Sequence, residues 1–473
     1  MNIEALQQEF LGDILTPSSE GYDAARRIWN GMIDRRPGAI ARCTGAGDVV
    51  AAVRFAAREN VYPAVRAGGH NVAGLAMIDD GLVIDLSPMK RITVDPVART
   101  ATAETGLTWN EFDSATQAYG LATTGGLVST TGIAGLTLGG GIGWLLGRCG
   151  LACDNTLAYG VVTADGELIT ASAEDHSDLF WALKGGGGNF GVVTSITYRL
   201  HDVGTVIAGM LLHPLARARE VLGFYRDFVS RDLPDELVVY AGALTSPDGM
   251  PLVAIIPAWT GADLDAGERV LAPLRAFGPP VADLVTRMPY VAMQQMLDAA
   301  APHGLRSYWK SNYVRELPDA AIDTFVRLAE SCPSARTIML LEHAHGAAAR
   351  VPPTATAFPS RGHAFDLVVL SLWENAHDDA RQIAWTRSFY EAMQPWSAQQ
   401  VYVNALSEDD SGRVAEAYGG NYARLREAKA KYDPANRFRR NQNILRADAG
   451  PGVDVPRYAP AVPPRTDGVR LQP

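Results

Sequence analysis

Residues 65–71, VRAGGHN, place two glycines directly before a histidine at the end of a short apolar segment. Glycine lets the backbone approach a ligand closely, so that the N–H groups of such a loop can bind a phosphate. A histidine beside the loop can accept a proton, bind a metal or simply satisfy a local hydrogen bond. The chemistry of His70 therefore depends on the ligand that this loop serves.

Three glycine-rich loops, at 67–74, 125–143 and 185–191, each adjoin a segment with a strand pattern. None of them places G-x-G-x-x-G after a strand and before a helix, as a Rossmann dinucleotide site does, and the sequence lacks G-x-x-x-x-G-K-[ST]. N–H groups from several separate loops can instead hold a pyrophosphate. The loops therefore predict a dinucleotide bound outside a Rossmann fold.

The elements that position these loops follow from hydrophobic periodicity. Residues 39–66 have the pattern of a strand, a helix and a strand. The pairs Asp95-Pro96 and Asp165-Gly166 predict two hairpins, and Thr108 is a typical first residue of a helix. Residues 204–400 hold separate helices and strands, which favours an α+β domain with one sheet covered on one side.

Length and composition restrict the class of protein. The chain has 473 residues, of which 47% are hydrophobic and 20% charged, so we expect at least two globular domains. A net charge of −10 argues against nucleic-acid binding. The four cysteines lack a zinc or disulfide pattern, and the sequence has neither a signal peptide nor an apolar run of membrane-spanning length. We expect a cytoplasmic protein with reduced thiols that binds no nucleic acid and no membrane.

Five segments, in this order, resemble the berberine bridge enzyme-like branch of the vanillyl-alcohol oxidase flavoprotein superfamily. They are AVRAGGHNVAG (64–74), GGGIGWLLGRCGLACDN (139–155), DLFWALKGGGGNFGVVT (178–194), YVN (402–404) and YDPANRFRRNQNI (432–444). The resemblance extends from about residue 35 to residue 446.

The resemblance implies an α+β fold in which a two-part FAD-binding domain is formed by residues 1–203 and 401–448. A substrate-binding domain, with an antiparallel sheet covered by helices, is implied at 204–400. We expect the proline-rich residues 449–473 to form a C-terminal tail.

The resemblance also implies that the ligand is FAD and that His70 is bonded covalently to it, since this histidine matches the family's attachment residue. Many relatives have a second attachment at a cysteine before the long glycine loop. The matching residue here is Val128, so we expect a single attachment, through His70 only. Such a bond retains the flavin during turnover and raises its redox potential.

Further FAD contacts are carried over by motif. They are Arg66, Ala67, Gly68, Gly69 and Asn71 around the pyrophosphate, Thr130, Thr131, Gly132 and Gly135 of the long loop, Asp154 and Asn155, Gly191 and Val193, and Tyr402, Asn404 and Asn443.

Flavin oxidation of a C–H bond needs a group that accepts the proton of an O–H or N–H. The candidates for this role are Lys310, Glu342, Tyr402 and Tyr308. Strand alternation in TIMLLEHAHG (337–346) places Glu342 on the face opposite His343 and His345, so these three cannot all face the flavin. The two histidines resemble a metal pair, but no acid shares their face and we expect no metal.

One position departs from the family pattern. Many relatives have a tyrosine after Y-x-N, whereas this chain has Ala405. A mechanism that depends on that tyrosine is therefore in doubt here, and the proton acceptor is sought among the four candidates above.

The expected activity is that of an FAD-dependent oxidase acting on a small organic alcohol, amine or phenol, with O₂ as acceptor and H₂O₂ as product. The alternatives are a secondary-metabolite tailoring enzyme that couples oxidation to cyclisation or oxygenation, a dehydrogenase with another acceptor, and a flavin carrier without turnover. A monomer or a homodimer is expected.

Overall fold

The computed structural model describes residues 1–446, so the predicted tail at 449–473 lies outside the described residues. The helices and antiparallel sheets confirm the predicted α+β class. Within the described residues, no helix is long and apolar enough to cross a membrane. All four cysteines are free thiols.

Residues 1–203 contain eleven strands and seven α-helices. The strands are β1 (Asp13–Leu15), β2 (Ala39–Arg42), β3 (Ala64–Arg66), β4 (Leu82–Asp85), β5 (Ile92–Asp95), β6 (Thr100–Glu104), β7 (Leu121–Ala122), β8 (Thr156–Val162), β9 (Leu168–Ser172), β10 (Val192–Arg199) and β11 (His201–Asp202). The helices are α1 (Ile3–Gln7), α2 (Tyr22–Ala25), α3 (Ala46–Arg58), α4 (Trp109–Gln117), α5 (Ile133–Leu138), α6 (Leu146–Cys149) and α7 (Ser177–Leu183).

These strands form two main sheets. In the first, β2, β4 and β3 are parallel and β1 pairs antiparallel at the edge, with the predicted helix α3 connecting β2 to β3. The second is antiparallel, in the order β5-β6-β10-β8-β9. Both predicted hairpins are present, as β5–β6 and β8–β9. Thr108 begins α4 through a capping box with Glu111, as its sequence predicts.

The next part of the chain contains nine strands and six α-helices. The strands are β12 (Thr205–Ala208), β13 (Leu211–Pro214), β14 (Leu237–Thr245), β15 (Pro251–Trp259), β16 (Ala282–Asp283), β17 (Thr286–Pro289), β18 (Arg306–Val314), β19 (Ile338–His343) and β20 (Phe365–Trp373). The helices are α8 (Ala218–Val229), α9 (Leu264–Ala276), α10 (Tyr290–Gln294), α11 (Asp319–Glu330), α12 (Gly346–Arg350) and α13 (Asp379–Met393).

The nine strands form one antiparallel sheet, in which β15, β14, β19, β20 and β18 follow one another in this order and β18 lies at the edge. One face packs against α8, α11 and α13 through a core that includes Leu341, Leu367 and Phe389. Alternate residues on the other face, such as Leu340 and Val368, belong to a second core that includes residues of the glycine-rich half of the chain. The sheet therefore separates a helical layer from the glycine loops.

After this sheet the chain returns to the first half, through α14 (Val414–Tyr418) and α15 (Tyr422–Tyr432). Helix α15 ends before Asp433-Pro434, as the sequence predicts. The buried Lys429 in this helix donates to Asp433 (2.7 Å) and to the carbonyls of Asn189 (2.8 Å) and Phe438 (3.1 Å). These bonds fix the C-terminal segment against the third glycine loop.

Candidate active site

A cavity of about 370 Å³ lies between the glycine loops and one face of the large sheet. All five segments on which the family resemblance rests contribute residues to its wall. The opposite wall consists of alternate residues of β19 and β20. The cavity is therefore formed jointly by the glycine-rich half of the chain and the sheet.

The glycines of these loops permit contacts that side chains would block. A Cβ on Gly68 would lie 2.6 Å from the Cα of Gly132, so the first two loops can touch only because both residues lack one. Gly69 has φ of +65°, where other residues are strained. Gly135 lines the cavity, and a Cβ there would meet no atom within 4 Å. The loops thus form a cradle that brings the backbone close to a ligand.

His70 lines this cavity and its ring stacks on Trp29, with 4.5 Å between the ring centroids. Burial, with a smaller effect of His303, lowers the pKa of His70 to about 3, so the imidazole is neutral. Its Nε2 atom is buried and has no hydrogen-bonding partner within residues 1–446. A neutral imidazole with a free ring nitrogen in the cavity fits covalent attachment to a ligand there.

The structure brings most of the predicted cofactor residues together. The residues among them that line the cavity are His70, Ala67, Gly68, Gly69, Asn71, Thr131, Gly132, Gly135, Gly191, Val193, Tyr402 and Asn404. Val128, which occupies the position of the second FAD attachment in many relatives, also lines the cavity.

Five other residues predicted to contact FAD do not line the cavity. Asp154 forms an ion pair with Arg361 (2.7 Å), and Asn155 donates to the carbonyls of Cys149 and Leu151 (both 2.9 Å). The Arg66 guanidinium donates to the carbonyl of Ala25. In the structure these three side chains therefore hold neighbouring backbone or side chains.

Thr130 and Asn443 differ from those three residues. The Oγ1 atom of Thr130 and the Oδ1 atom of Asn443 are buried without a hydrogen-bonding partner within residues 1–446. Buried polar atoms normally have a partner. Together with Nε2 of His70 and the open face of Gly135, these atoms fit a bound FAD.

Strand alternation separates the four candidates for the proton acceptor. Glu342 and Tyr402 line the cavity, whereas Tyr308 and Lys310 lie on the helix-covered face of β18. The neighbours of Lys310 on the cavity face are Trp309, which lines the cavity, and Ser311, which bonds to a cavity residue. A side chain on the opposite face of a strand cannot reach the cavity.

A network of charges holds the two residues on the helix-covered face. Lys310 donates to Asp410 (2.6 Å) and Asp409 (3.1 Å), and the Tyr308 hydroxyl donates to Asp409 (2.7 Å). Arg387 also pairs with Asp409 (2.9 Å). The prediction that Lys310 or Tyr308 faces the flavin is therefore wrong. Both side chains instead stabilise the fold through this network.

Glu342 belongs to a row of four ionisable side chains that lie directly opposite one another on adjacent strands. Tyr240 of β14 pairs with Glu342 of β19, Glu342 with Asp366 of β20, and Asp366 with Tyr313 of β18. Cross-strand partners share a face of the sheet. The two carboxyls in the middle of the row both line the cavity.

Burial raises the proton affinity of both carboxyls, and the charge of Asp366 adds to this effect at Glu342. Burial, followed by the neighbouring charge of Asp366, raises the pKa of Glu342 well above its usual range. Burial raises the pKa of Asp366 to about 7, against the opposing effect of a hydrogen bond from Ser311 Oγ (2.6 Å). The pair therefore holds a proton at neutral pH.

Asp366 was not predicted from the sequence. Its signal is a single acid within the apolar strand FDLVVLSLW, and this signal does not reveal which residue lies opposite it. Only the register of β19 against β20 shows that it pairs with Glu342.

His343 and His345 lie away from this cavity, so the predicted alternation holds and Glu342 is the side chain that faces it. Their rings stack with 5.2 Å between centroids, and Nε2 of His345 lies 2.7 Å from the carbonyl oxygen of Leu237. They line a separate surface pocket beside Asp235 and Arg350.

Comparison with protein families agrees with this geometry. The model of the FAD binding domain matches residues 37–172, and the model described as berberine and berberine like matches residues 401–445. These two matches define the class as FAD-linked oxidoreductases.

Individual proteins are similar over nearly the whole chain. An FAD-linked oxidoreductase of Dictyostelium discoideum is 31% identical over 437 residues, 92% of this chain and 94% of that protein. The (R)-6-hydroxynicotine oxidase of Paenarthrobacter nicotinovorans is 30% identical over 450 residues, 92% of this chain and 96% of that protein. The chain belongs to the berberine bridge enzyme-like family of FAD-linked oxidoreductases.

Solved structures share the fold. The 6-hydroxy-D-nicotine oxidase of Arthrobacter nicotinovorans superimposes with a TM-score of 0.84 at 29% identity, covering 92% of this chain and 98% of that chain. Phl p 4, a grass pollen allergen with glucose dehydrogenase activity, superimposes with a TM-score of 0.84 at 24% identity, covering 94% and 99%. One Phl p 4 variant of the same fold is a glucose oxidase.

Proposed function

We propose that this protein is an FAD-dependent oxidase that removes hydride from a C–H bond of a small organic alcohol, amine or phenol. The substrate gives its O–H or N–H proton to the protein, and O₂ takes up two electrons and two protons to form H₂O₂. The observation that carries this proposal is the buried Glu342 carboxyl in the same cavity as His70. The similarity to an oxidase over 92% of the chain supports it.

FAD, when bound, supplies the two-electron acceptor. We assign its covalent attachment to Nε2 of His70, the ring nitrogen that lies buried in the cavity without a partner. The unpaired atoms of Thr130 and Asn443 and the open backbone at Gly135 supply further contacts. Since Val128 cannot form the second attachment, His70 alone retains the cofactor.

The carboxyl pair of Glu342 and Asp366 holds one proton and one negative charge, and this negative charge accepts the substrate proton at the Glu342 end of the pair. The Glu342 side chain lines the cavity, where a ligand can reach it. Tyr402 orients the substrate. Its hydroxyl oxygen accepts hydrogen bonds from the Gly141 N–H (3.1 Å) and from Asn404 Nδ2 (2.9 Å), which leaves its own hydrogen to donate into the cavity.

The wall around these groups excludes water. Leu340, Val368 and Leu370 of the sheet, together with Trp309, make the substrate side of the cavity largely apolar. In such surroundings a proton moves to the one group positioned to take it, and competing exchange with solvent is suppressed.

Covalent attachment is tested by acid precipitation and intact mass. Wild-type protein should retain its flavin in the pellet and show one added FAD mass, whereas His70→Ala should release all flavin to the supernatant. Release of flavin from wild type, or retention by His70→Ala, would exclude His70 as the attachment residue.

The oxidase reaction is tested by an alcohol, amine and phenol panel read by peroxide release. A substrate should bleach the flavin without O₂, and air should restore the yellow colour with one H₂O₂ for each substrate oxidised. Reoxidation by dyes or quinones but not by O₂ would overturn the oxidase assignment and leave a dehydrogenase.

A further inference from the structure

Glu342 and Asp366, the two middle members of the row, place two carboxyls on one wall of the cavity. Asp366 is 1% exposed and Glu342 8%, and each directly faces the other across β19 and β20. Two ionised carboxylates that are buried side by side repel each other unless a proton or a cation lies between them.

No basic side chain of residues 1–446 compensates this pair from within the protein. The basic residues that line the cavity are His70, which is neutral, and Arg440, whose guanidinium donates to the carbonyls of Gly74 and Met77 in the first glycine loop. Lys310 lies on the opposite face of the sheet, and Arg361 is paired with Asp154.

The free oxygen atoms of the pair are available to a ligand. Oδ1 of Asp366 accepts from Ser311, but Oδ2 is buried without a partner within residues 1–446. A buried carboxylate oxygen without a donor is costly, and a ligand N–H would satisfy it.

We propose that the substrate carries a protonated amino group, which binds between the carboxyls of Glu342 and Asp366. This proposal rests on the proposed function, because it assigns the substrate class of the same cavity. Leu340, Val368 and Leu370 surround the pair and would contact an apolar or aromatic body. A substrate of this class is thus a compact apolar amine.

The charges match this assignment. Burial raises the pKa of both carboxyls, so the pair holds one proton and one negative charge near neutral pH. One ammonium group balances that charge. A hard divalent cation fits less well, since Mg²⁺ or Ca²⁺ takes about six or more oxygen ligands and the surrounding wall is apolar.

Two ligands of the same shape test the proposal on FAD-loaded protein. Cumylamine is cationic at neutral pH, cumyl alcohol is neutral, and neither has a hydrogen on the carbon that would be oxidised. Their dissociation constants are measured at pH 7 by calorimetry and by the shift of the flavin absorbance. We expect cumylamine to bind at least about tenfold more tightly than cumyl alcohol.

The variant Asp366→Asn keeps the shape of the side chain and removes its charge. It should weaken cumylamine at least about tenfold and leave cumyl alcohol within about twofold. Asp319→Asn, at an exposed position of α11, makes the same change in net charge and should alter neither constant.

Equal affinity of the two ligands in wild type, or an equal loss of both in Asp366→Asn, would overturn the amine assignment. Because neither ligand is oxidised, the result does not depend on turnover. A protein that prefers cumylamine but releases no peroxide with any amine would contradict the oxidase proposal and leave the amine site standing.

Discussion

The two faces of β18, β19 and β20 lie against acids in opposite circumstances. On the helix-covered face, Asp409 and Asp410 are paired with Lys310, and Asp409 also with Arg387. On the cavity face, Glu342 and Asp366 lie opposite each other, and neither forms an ion pair with a cation of residues 1–446. The first arrangement stabilises the fold, whereas the second keeps charge available for a ligand.

The pKa values show the same contrast. Burial acts to raise the pKa of Asp409, but Lys310, Tyr308 and Arg387 outweigh it, and the pKa is lowered. Burial raises the pKa of Glu342, and the charge of Asp366 raises it further. Burial opposes ionisation of both acids, but only Asp409 has cations as neighbours, and only its pKa is lowered.

The largest expected effect is that of Glu342→Gln. Loss of the proton acceptor should lower kcat/KM by about 10²–10⁴-fold. The fold should not suffer. An acid with a raised folded-state pKa contributes less stability as pH rises above its unfolded value, so the advantage of the glutamine variant should grow with pH.

Peroxide release and melting temperature, each measured from about pH 5 to pH 8, check this prediction. The exposed Glu374→Gln is the matched control and should change neither quantity. Wild-type activity in Glu342→Gln would exclude Glu342 as the proton acceptor.

On the other face, Lys310→Met should affect stability and leave catalysis intact. It leaves the buried Asp410 without its closest cation, and the free energy of unfolding should fall by about 3 kcal/mol. The kcat/KM of the folded protein should match that of wild type. Denaturant unfolding and assays at low temperature measure the two quantities.

Lys431→Met removes an exposed ion pair with Asp178 and serves as the control, with an expected loss below about 1 kcal/mol. If Lys310→Met instead lost activity at wild-type stability, the division of roles between the two faces would be wrong.

A smaller effect is expected for Asp366→Asn on the pH profile. Without the neighbouring charge, Glu342 should ionise at lower pH, and the acidic limb of kcat/KM should move by about one pH unit toward acid. The other ionisable groups facing the pair are Tyr240, Tyr313 and Tyr402, whose pKa values are raised and which stay protonated in this range. An unchanged limb would show that the carboxyls do not interact.

The smallest effect is expected for Ser311→Ala, which removes the donor that Asp366 has within the sheet. The free energy of unfolding should fall by about 1 kcal/mol while Asp366 is protonated, and by about 2 kcal/mol once it is ionised. The loss should therefore increase as pH passes through about 7, the pKa of Asp366. A loss independent of pH would mean that this bond does not stabilise the anion.

The glycine loops and their elements could be predicted because local chemistry dictates them. The capping box at Thr108, the hairpin at Asp165-Gly166 and the stop before Pro434 depend on residues within a few positions. The motif order identified the flavoprotein family in the same way. The covalent role of His70 stays a prediction, supported by its unpaired Nε2.

The sequence reduced the candidates for the proton acceptor to four residues but did not show which of them faces the cavity. Alternation in β19 correctly separated Glu342 from His343, because the period of a strand is fixed by its backbone. The same rule places Lys310 and Trp309 on opposite faces, but only the packed sheet shows which face meets the cavity.

By itself, then, the sequence determined the loops that can approach a dinucleotide, the histidine beside them and the alternation along each strand. The tertiary structure alone decided that Lys310 is compensated and that Glu342 and Asp366, 24 positions apart, lie opposite each other. Strand register and sheet facing depend on packing between distant segments, so the electrostatics of the cavity arise only when the chain is folded.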